Sequence, residues 1–187
     1  MSRLKYELPS KTLLSIYNSL IAPHLNYSVV AWGDSPDTHL KRMRILQERA
    51  LRIIDKKPYN SHTNPLFYKY SILKLNDLYT FRCSLLYHKS LRNGLPTYFS
   101  SLLKTNENTH EHFTRGRNNI HVNLVQSELG KQNFNYKIAF VWNKLDDTIK
   151  KERLNTVSSF TKKLKRNLII EYSKPCQIQN CPNCFRN

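Results

Sequence analysis

The sequence predicts an all-α protein: an irregular bundle of about six to seven helices, with one long loop and a cysteine-bearing tail. Three observations predict it. Apolar residues recur at helical spacing through nearly every segment, and no segment alternates with the period of two that a half-buried strand shows. Prolines stand where helices would begin or stop, at Pro9, Pro23, Pro36 and Pro96. The 187-residue chain has the length of one domain and the composition of a globular one, with 40% hydrophobic residues.

The elements follow in order. Residues 11–21 carry Leu13, Leu14, Tyr17, Leu20 and Ile21 on one side, after a Pro9-Ser10 start. Pro23 lacks an N–H and crowds the preceding turn, so residues 24–32 are expected to continue as a second stretch set at an angle. Asp34 or Ser35 can cap the next helix, with Pro36 at its first position, where the N–H has no helical partner in any case. Its apolar face reads as Leu40, Met43, Leu46, Ala50 with Leu51, Ile53 and Ile54. A loop over 56–60 leads to a short helix around 64–70. A longer helix over 76–91 follows, with Leu78, Phe81, Leu85, Leu86 and Lys89 at helical spacing. Gly94 suits the position just past that helix, and Pro96 opens a short one over 96–103. Residues 105–123 lack a period and read as the long loop, extended over 119–124. Helices over 134–145 (Phe134, Ile138, Val141 with Trp142, Leu145) and 156–172 (Phe160, Leu164, Leu168) close the series.

Charge is the strongest bulk signal. Thirty Lys and Arg face 13 Asp and Glu, a formal net of +17. Such an excess favours an anionic partner, nucleic acid first and an anionic membrane surface second; an ordinary domain of a basic proteome is the plain alternative. No apolar run approaches the ~18 residues of a membrane span, and no apolar leader opens the chain, so an intracellular protein without a membrane partner is expected. Four scattered glycines (Gly33, Gly94, Gly116 and Gly130) exclude the glycine-rich phosphate loops of nucleotide-binding folds, and no cofactor is expected.

Two runs concentrate the charge. Residues 41–57 hold seven bases (Lys41, Arg42, Arg44, Arg49, Arg52, Lys56 and Lys57) against two acids, and residues 150–166 hold seven against Glu152 alone. Each fits either a face that tracks phosphates or a solvated helix side. Two acids cannot neutralise seven bases, which favours nucleic acid for the first run. In the second, Lys162, Lys163, Lys165 and Arg166 also form a short cluster of the nuclear-import kind, so a nuclear location is expected. Arg115 and Arg117 flank Gly116 in the long loop, which suits phosphate contact or an ordinary polar loop equally. Aromatics interleave with bases around Phe67-Tyr68-Lys69-Tyr70 and Tyr79, Phe81, Arg82 and Tyr87; Phe67 and Phe81 are assigned to the core, Tyr68 and Tyr70 are left open. Cys176, Cys181 and Cys184 follow a C-x4-C-x2-C pattern in which Cys181 and Cys184 have knuckle spacing, and they supply three of the four ligands a structural zinc needs; Cys83, His110 or His112 would complete it, and free thiols are the alternative. Trp32 and Trp142 read as packing anchors.

The order of these segments resembles the C-terminal part of the reverse transcriptase of non-LTR, LINE-like retrotransposons of the CR1, jockey and RTE kinds. The resemblance covers about residues 8–170. It rests on Leu14-Ser-Ile-Tyr17 through Pro23-His-Leu25-Asn-Tyr27, Trp32-Gly33, Leu46-Gln47-Glu-Arg49-Ala50 through Ile54, Leu66-Phe67, Leu73-Lys-Leu75, Leu95-Pro96-x-x-Phe99, Thr114-Arg115, Phe140-x-Trp142-Asn143-x-Leu145 and Phe160-Thr-Lys-Lys-Leu164-Lys. The cysteine tail matches less closely. It implies a thumb-like helical part over 1–103, a loop over 104–123, a C-terminal helical part over 124–173 and the tail over 174–187. It also implies RNA or RNA–DNA duplex as partner, with the polymerase palm as the missing companion. Catalysis in that family needs paired carboxylates holding two metal ions behind an aromatic residue. Here the adjacent acids Asp146-Asp147 follow Lys144-Leu145 and read as helix-terminal acids, so no polymerase or nuclease activity is expected of this chain by itself. The alternatives are a host-used protein adaptor presenting a tyrosine-rich surface, and a decayed copy without present activity.

Overall fold

The computed structural model describes residues 2–92, 94–109, 116–122 and 124–174. It is all-α, and among the described residues the one β-type pairing is an isolated antiparallel bridge between Thr105 and Ile120. The helices are α1 (Ser10–Ile16), α2 (Ala22–Asn26), α3 (Val29–Trp32), α4 (Asp37–Ile54), α5 (Asn64–Lys69), α6 (Leu75–Ser90), α7 (Thr97–Leu102), α8 (Glu128–Lys131), α9 (Phe134–Asn143), α10 (Asp147–Lys150) and α11 (Val157–Ile170). Five of them reach seven residues; the rest are pieces of one to two turns. The expected single helix over 11–21 is α1 followed by a π-helical turn, Tyr17–Ile21. Pro23 explains the widened turn: it donates no N–H to the turn before it. The stretch expected over 24–32 is cut in two at Ser28, whose φ of 46° is left-handed.

The contacts divide the chain into two compact units, one of residues up to Tyr79 with those from Lys165 onward, the other Thr80–Leu164.

In the first unit α1 packs on α4, α4 on α5, and α5 on the 3-10 turn Glu171–Ser173. Leu13, Leu51 and Ile54 are fully buried between them. Gly33 is required where it stands: a Cβ there would lie 2.6 Å from the Val29 carbonyl oxygen and 2.7 Å from the Tyr79 ring. Tyr172 seals the unit. Its hydroxyl donates to the Asp77 carboxylate and accepts the Lys74 N–H at 3.2 Å, and its ring meets Phe67 edge-on at 6.0 Å. Burial raises the Asp77 pKa, against the lowering effect of the Tyr172 bond, and burial followed by that bond raises Tyr172 far above the usual phenol range.

The second unit is built on aromatics. Trp142 is fully buried, 4.4 Å from Tyr87 at 61° and 6.1 Å from Phe160. His88 stacks on Phe160 at 4.2 Å, and burial, with Arg92 nearby, lowers its pKa below the ordinary value. Helix α6 contributes buried residues on nearly every side, Leu75, Leu78 and Tyr79 to the first unit and Phe81, Cys83, Leu85 and Tyr87 to the second. Such a helix has no polar face to read from sequence.

Candidate nucleic-acid interface

Helix α4 begins after Pro36, which is its N-cap rather than its first turn. Neither Asp34 nor Ser35 caps it; the Ser35 hydroxyl donates to the Trp32 carbonyl at 2.6 Å. Its buried stripe is Leu40, Gln47, Leu51 and Ile54, with Ala50 alongside. This corrects the expected face: Leu46 is 55% exposed and Gln47 is buried in its place. Gln47 can be buried because its amide donates to the Tyr17 hydroxyl at 3.2 Å and the Leu73 carbonyl at 2.9 Å, which removes the cost of an unpaired polar group.

That register turns Arg42 and Arg49 outward, two turns apart and about 10 Å along the axis, with Ile45 and Leu46 exposed between them. Lys41, Arg42, Arg49 and Lys56 are exposed, and none has a carboxylate partner among the described residues. Arg44 and Arg52 differ. Arg44 pairs with Asp37 and reaches Asn76 at 3.5 Å. Arg52 donates to the Ser61 carbonyl at 2.8 Å and pairs with Glu48 at 3.1 Å, tying the loop after α4 to the helix.

The end of α4 is a Schellman-type cap. The Lys57 N–H returns to the Arg52 carbonyl at 2.9 Å, the Lys56 N–H to the Ile53 carbonyl at 3.2 Å, and Lys56 takes the left-handed position with φ 57°. Asp55, the acid of this loop, faces away: its carboxylate accepts from Lys69 at 2.5 Å and from Tyr70 at 2.7 Å. Burial pushes its pKa up, but these hydrogen bonds outweigh burial and hold it below the ordinary value. Lys5 donates to the Lys57 carbonyl at 2.9 Å and lies 5.2 Å from the Tyr6 ring, which brings the N-terminal turn beside this cap.

In the second basic run, Lys162, Lys163, Lys165 and Arg166 are exposed on α11, where Phe160 and Leu164 face the core. Lys163 is held by Glu152, and this pair keeps the Glu152 carboxylate below its ordinary pKa. Lys150 is no surface cation: its side chain is 7% exposed, and its amine donates to the Asn143 carbonyl at 2.8 Å and the Asn119 side-chain oxygen at 3.1 Å, with Asp147 at 3.4 Å. The Asn143 side chain in turn accepts the Ile120 N–H at 2.9 Å and donates to the Ile120 carbonyl at 3.0 Å. One amide thereby takes both backbone bonds a neighbouring strand would take.

In the long loop Arg117 pairs with Glu107 at 2.5 Å. Arg115, His110 and His112, and with them Cys176, Cys181 and Cys184, lie outside the described residues; Cys83 is buried on α6. Among the described residues no cluster of three His, Cys, Asp or Glu side chains is placed to hold a metal ion, and no helix is long and apolar enough to cross a membrane. Asp146 and Asp147 are exposed at the start of α10, the first accepting from Thr148 at 3.0 Å. Phe67 and Phe81 are buried as expected, Tyr68 is 48% exposed, Tyr70 is held by Asp55, and Trp32 is half-buried with its indole N–H on the Tyr27 carbonyl at 2.7 Å.

The helical architecture and the outward cations describe a basic all-α protein. Comparison with known proteins is more particular. The chain is 32% identical over 76 residues to the RNA-directed DNA polymerase from mobile element jockey of Drosophila funebris, covering 41% of this chain and 8% of that protein. It is 34% identical over 64 residues to the corresponding jockey polymerase of Drosophila melanogaster, 34% of this chain and 7% of that protein. It is 38% identical over 53 residues to the probable RNA-directed DNA polymerase from transposon X-element of the same species, 28% of this chain and 6% of that one. Over these segments the chain is related to the reverse transcriptases of non-LTR retrotransposons. It spans less than a tenth of the length of these relatives. No protein-family profile and no solved structure matches it.

Proposed function

We propose that the chain is the nucleic-acid-binding thumb and C-terminal part of a retrotransposon RNA-directed DNA polymerase, gripping element RNA or a template–primer duplex. The observation that carries this reading is the outward face of α4, where Arg42 and Arg49 stand two turns apart without acid partners among the described residues, with Lys41 and Lys56 exposed on the same run. Cations so spaced reach separate phosphates and release counterions from each. Lys162, Lys165 and Arg166 of α11 would add contacts of the same kind and serve as the nuclear-import cluster. The chemistry of nucleotidyl transfer would come from a palm elsewhere, since Asp146 and Asp147 lack the setting of a two-metal site: one accepts from Thr148 and the other lies beside Lys150.

Anisotropy titration of the full chain with an RNA–DNA hybrid tests this. The expected result is an affinity that falls linearly with salt on a double-logarithmic plot. No binding at low salt, or binding without a salt slope, overturns it; a protein partner that survives nuclease treatment would then favour an adaptor. Primer extension with Mg²⁺ tests the second part, and product from this chain alone would refute it.

A further inference from the structure

Beyond the duplex-tracking face, the cap after α4 carries features that a phosphate contact alone does not require. Tyr59 is 89% exposed and Tyr6 is 78% exposed, so both rings stand in water although tyrosine is usually at least half-buried. They lie at a place dense in cations: Lys56 and Lys57 precede Tyr59 in the cap, and Lys5, beside Tyr6, is bonded to the Lys57 carbonyl. The loop's acid is turned to Lys69 and Tyr70, which leaves this side positive. The loop is also held in shape. The cap bonds fix residues 56 and 57, Ser61 N–H returns to the Pro58 carbonyl at 3.2 Å, and Arg52 holds the Ser61 carbonyl. A loop whose backbone is held and which carries an exposed ring close in sequence to two exposed lysines is pre-organised for a flat, anionic ligand.

We infer that the 55–61 loop, with Lys5 and Tyr6, is a binding site for an unpaired nucleotide, Tyr59 stacking on its base and Lys56 and Lys57 meeting the flanking phosphates. This rests on the nucleic-acid reading above and adds to it a preference for single-stranded extensions. Base–aromatic stacking suits any base, because each offers a π face, so the site favours unpaired strand without reading sequence. The left-handed Lys56 agrees with a role for its side chain. Glycine is the residue that this position accepts without strain, and a lysine there gives up stability for a charge.

The test compares two RNA–DNA hybrids of equal phosphate count, one blunt and one with a single-stranded overhang carrying 2-aminopurine, each titrated with the full chain. The overhang is expected to bind the tighter, with quenched emission. Tyr59→Ala should weaken overhang binding roughly 5- to 150-fold and leave blunt binding unchanged, and Tyr59→Phe should restore it. Lys56→Gly should lower overhang affinity while raising the melting temperature. Equal binding of the two hybrids, or an unchanged overhang affinity in Tyr59→Ala, overturns the inference and leaves the duplex reading standing. Failure to bind either hybrid overturns both.

Discussion

The two basic runs look alike in sequence and behave differently in the fold. Both hold seven bases, yet in the run over 41–57 Lys41, Arg42, Arg49 and Lys56 stay exposed without acid partners among the described residues, whereas the run over 150–166 opens on a lysine that is nearly sealed from water. Helix α4 has one buried stripe, so its cations are sorted outward by register. Lys150 ends a one-turn helix at the place where the loop over 116–121 is fastened, and its buried amine is held by the Asn143 carbonyl and the Asn119 side-chain oxygen. Formal charge therefore overstates what is available to a polyanion.

The largest effect should separate Lys150 from Arg49. Lys150→Ala removes a buried donor shared by Asn143, Asn119 and Asp147 and should destabilise the protein by about 2 kcal/mol. Arg49→Ala should stay within about 0.5 kcal/mol of the parent, as expected for a surface change with no partner lost. Chemical denaturation reads both, and a stable Lys150→Ala variant would break the distinction. Next, the double variant Arg42→Ala/Arg49→Ala should flatten the salt dependence of hybrid binding by roughly 2 units of slope, about one per lost phosphate contact. Lys150→Ala, measured below its melting temperature, should leave that slope alone.

The smallest effect is a pH contrast inside the first unit, where Asp55 and Asp77 shift in opposite directions. The lowered Asp55 contributes stability above its ordinary value near 3.8, and that contribution is lost as pH falls through its folded value. The raised Asp77 does the reverse: the folded state holds its proton longer, so its contribution is present below 3.8 and is lost as pH rises through the raised value. Melting temperatures from pH 3 to 7 should show Asp77→Asn gaining on the parent as pH rises. Asp55→Asn should fall behind it over the same range. Parallel curves for the two would show that the carboxylates do not differ.

The helices were legible because periodicity and proline placement report locally. What was not legible depended on distant partners. Gln47 reads as a polar-face residue and Leu46 as core, and only Tyr17 and the Leu73 carbonyl reverse them. Lys150 is one more base in a charge count until Asn143 and Asn119 are placed beside it. Along α4, the sequence picks out a basic helix, but does not separate Arg42 and Arg49 from Arg44 and Arg52: Asp37, Asn76 and Ser61, three of the groups that tie the latter pair down, sit outside the run, and only Glu48 lies within it. Tyr59 attracts no notice as a lone tyrosine in a loop; its exposure, the turned acid and the neighbouring Lys5 make it a feature. Tyr172 likewise has no periodic signal, since its value lies in Asp77 and Lys74 nearly a hundred residues earlier.

The amide of Asn143 has one more consequence. By taking both the N–H and the carbonyl of Ile120, it hides a backbone hydrogen in the midst of a loop whose neighbouring sequence is rich in Asn, Thr and His. Ile120 is 1% exposed, so that hydrogen can trade with solvent deuterium only when the clamp itself opens. The exchange of this one loop amide is therefore timed by a side chain on α9, and a probe placed there reports on the opening of a contact between loop and helix.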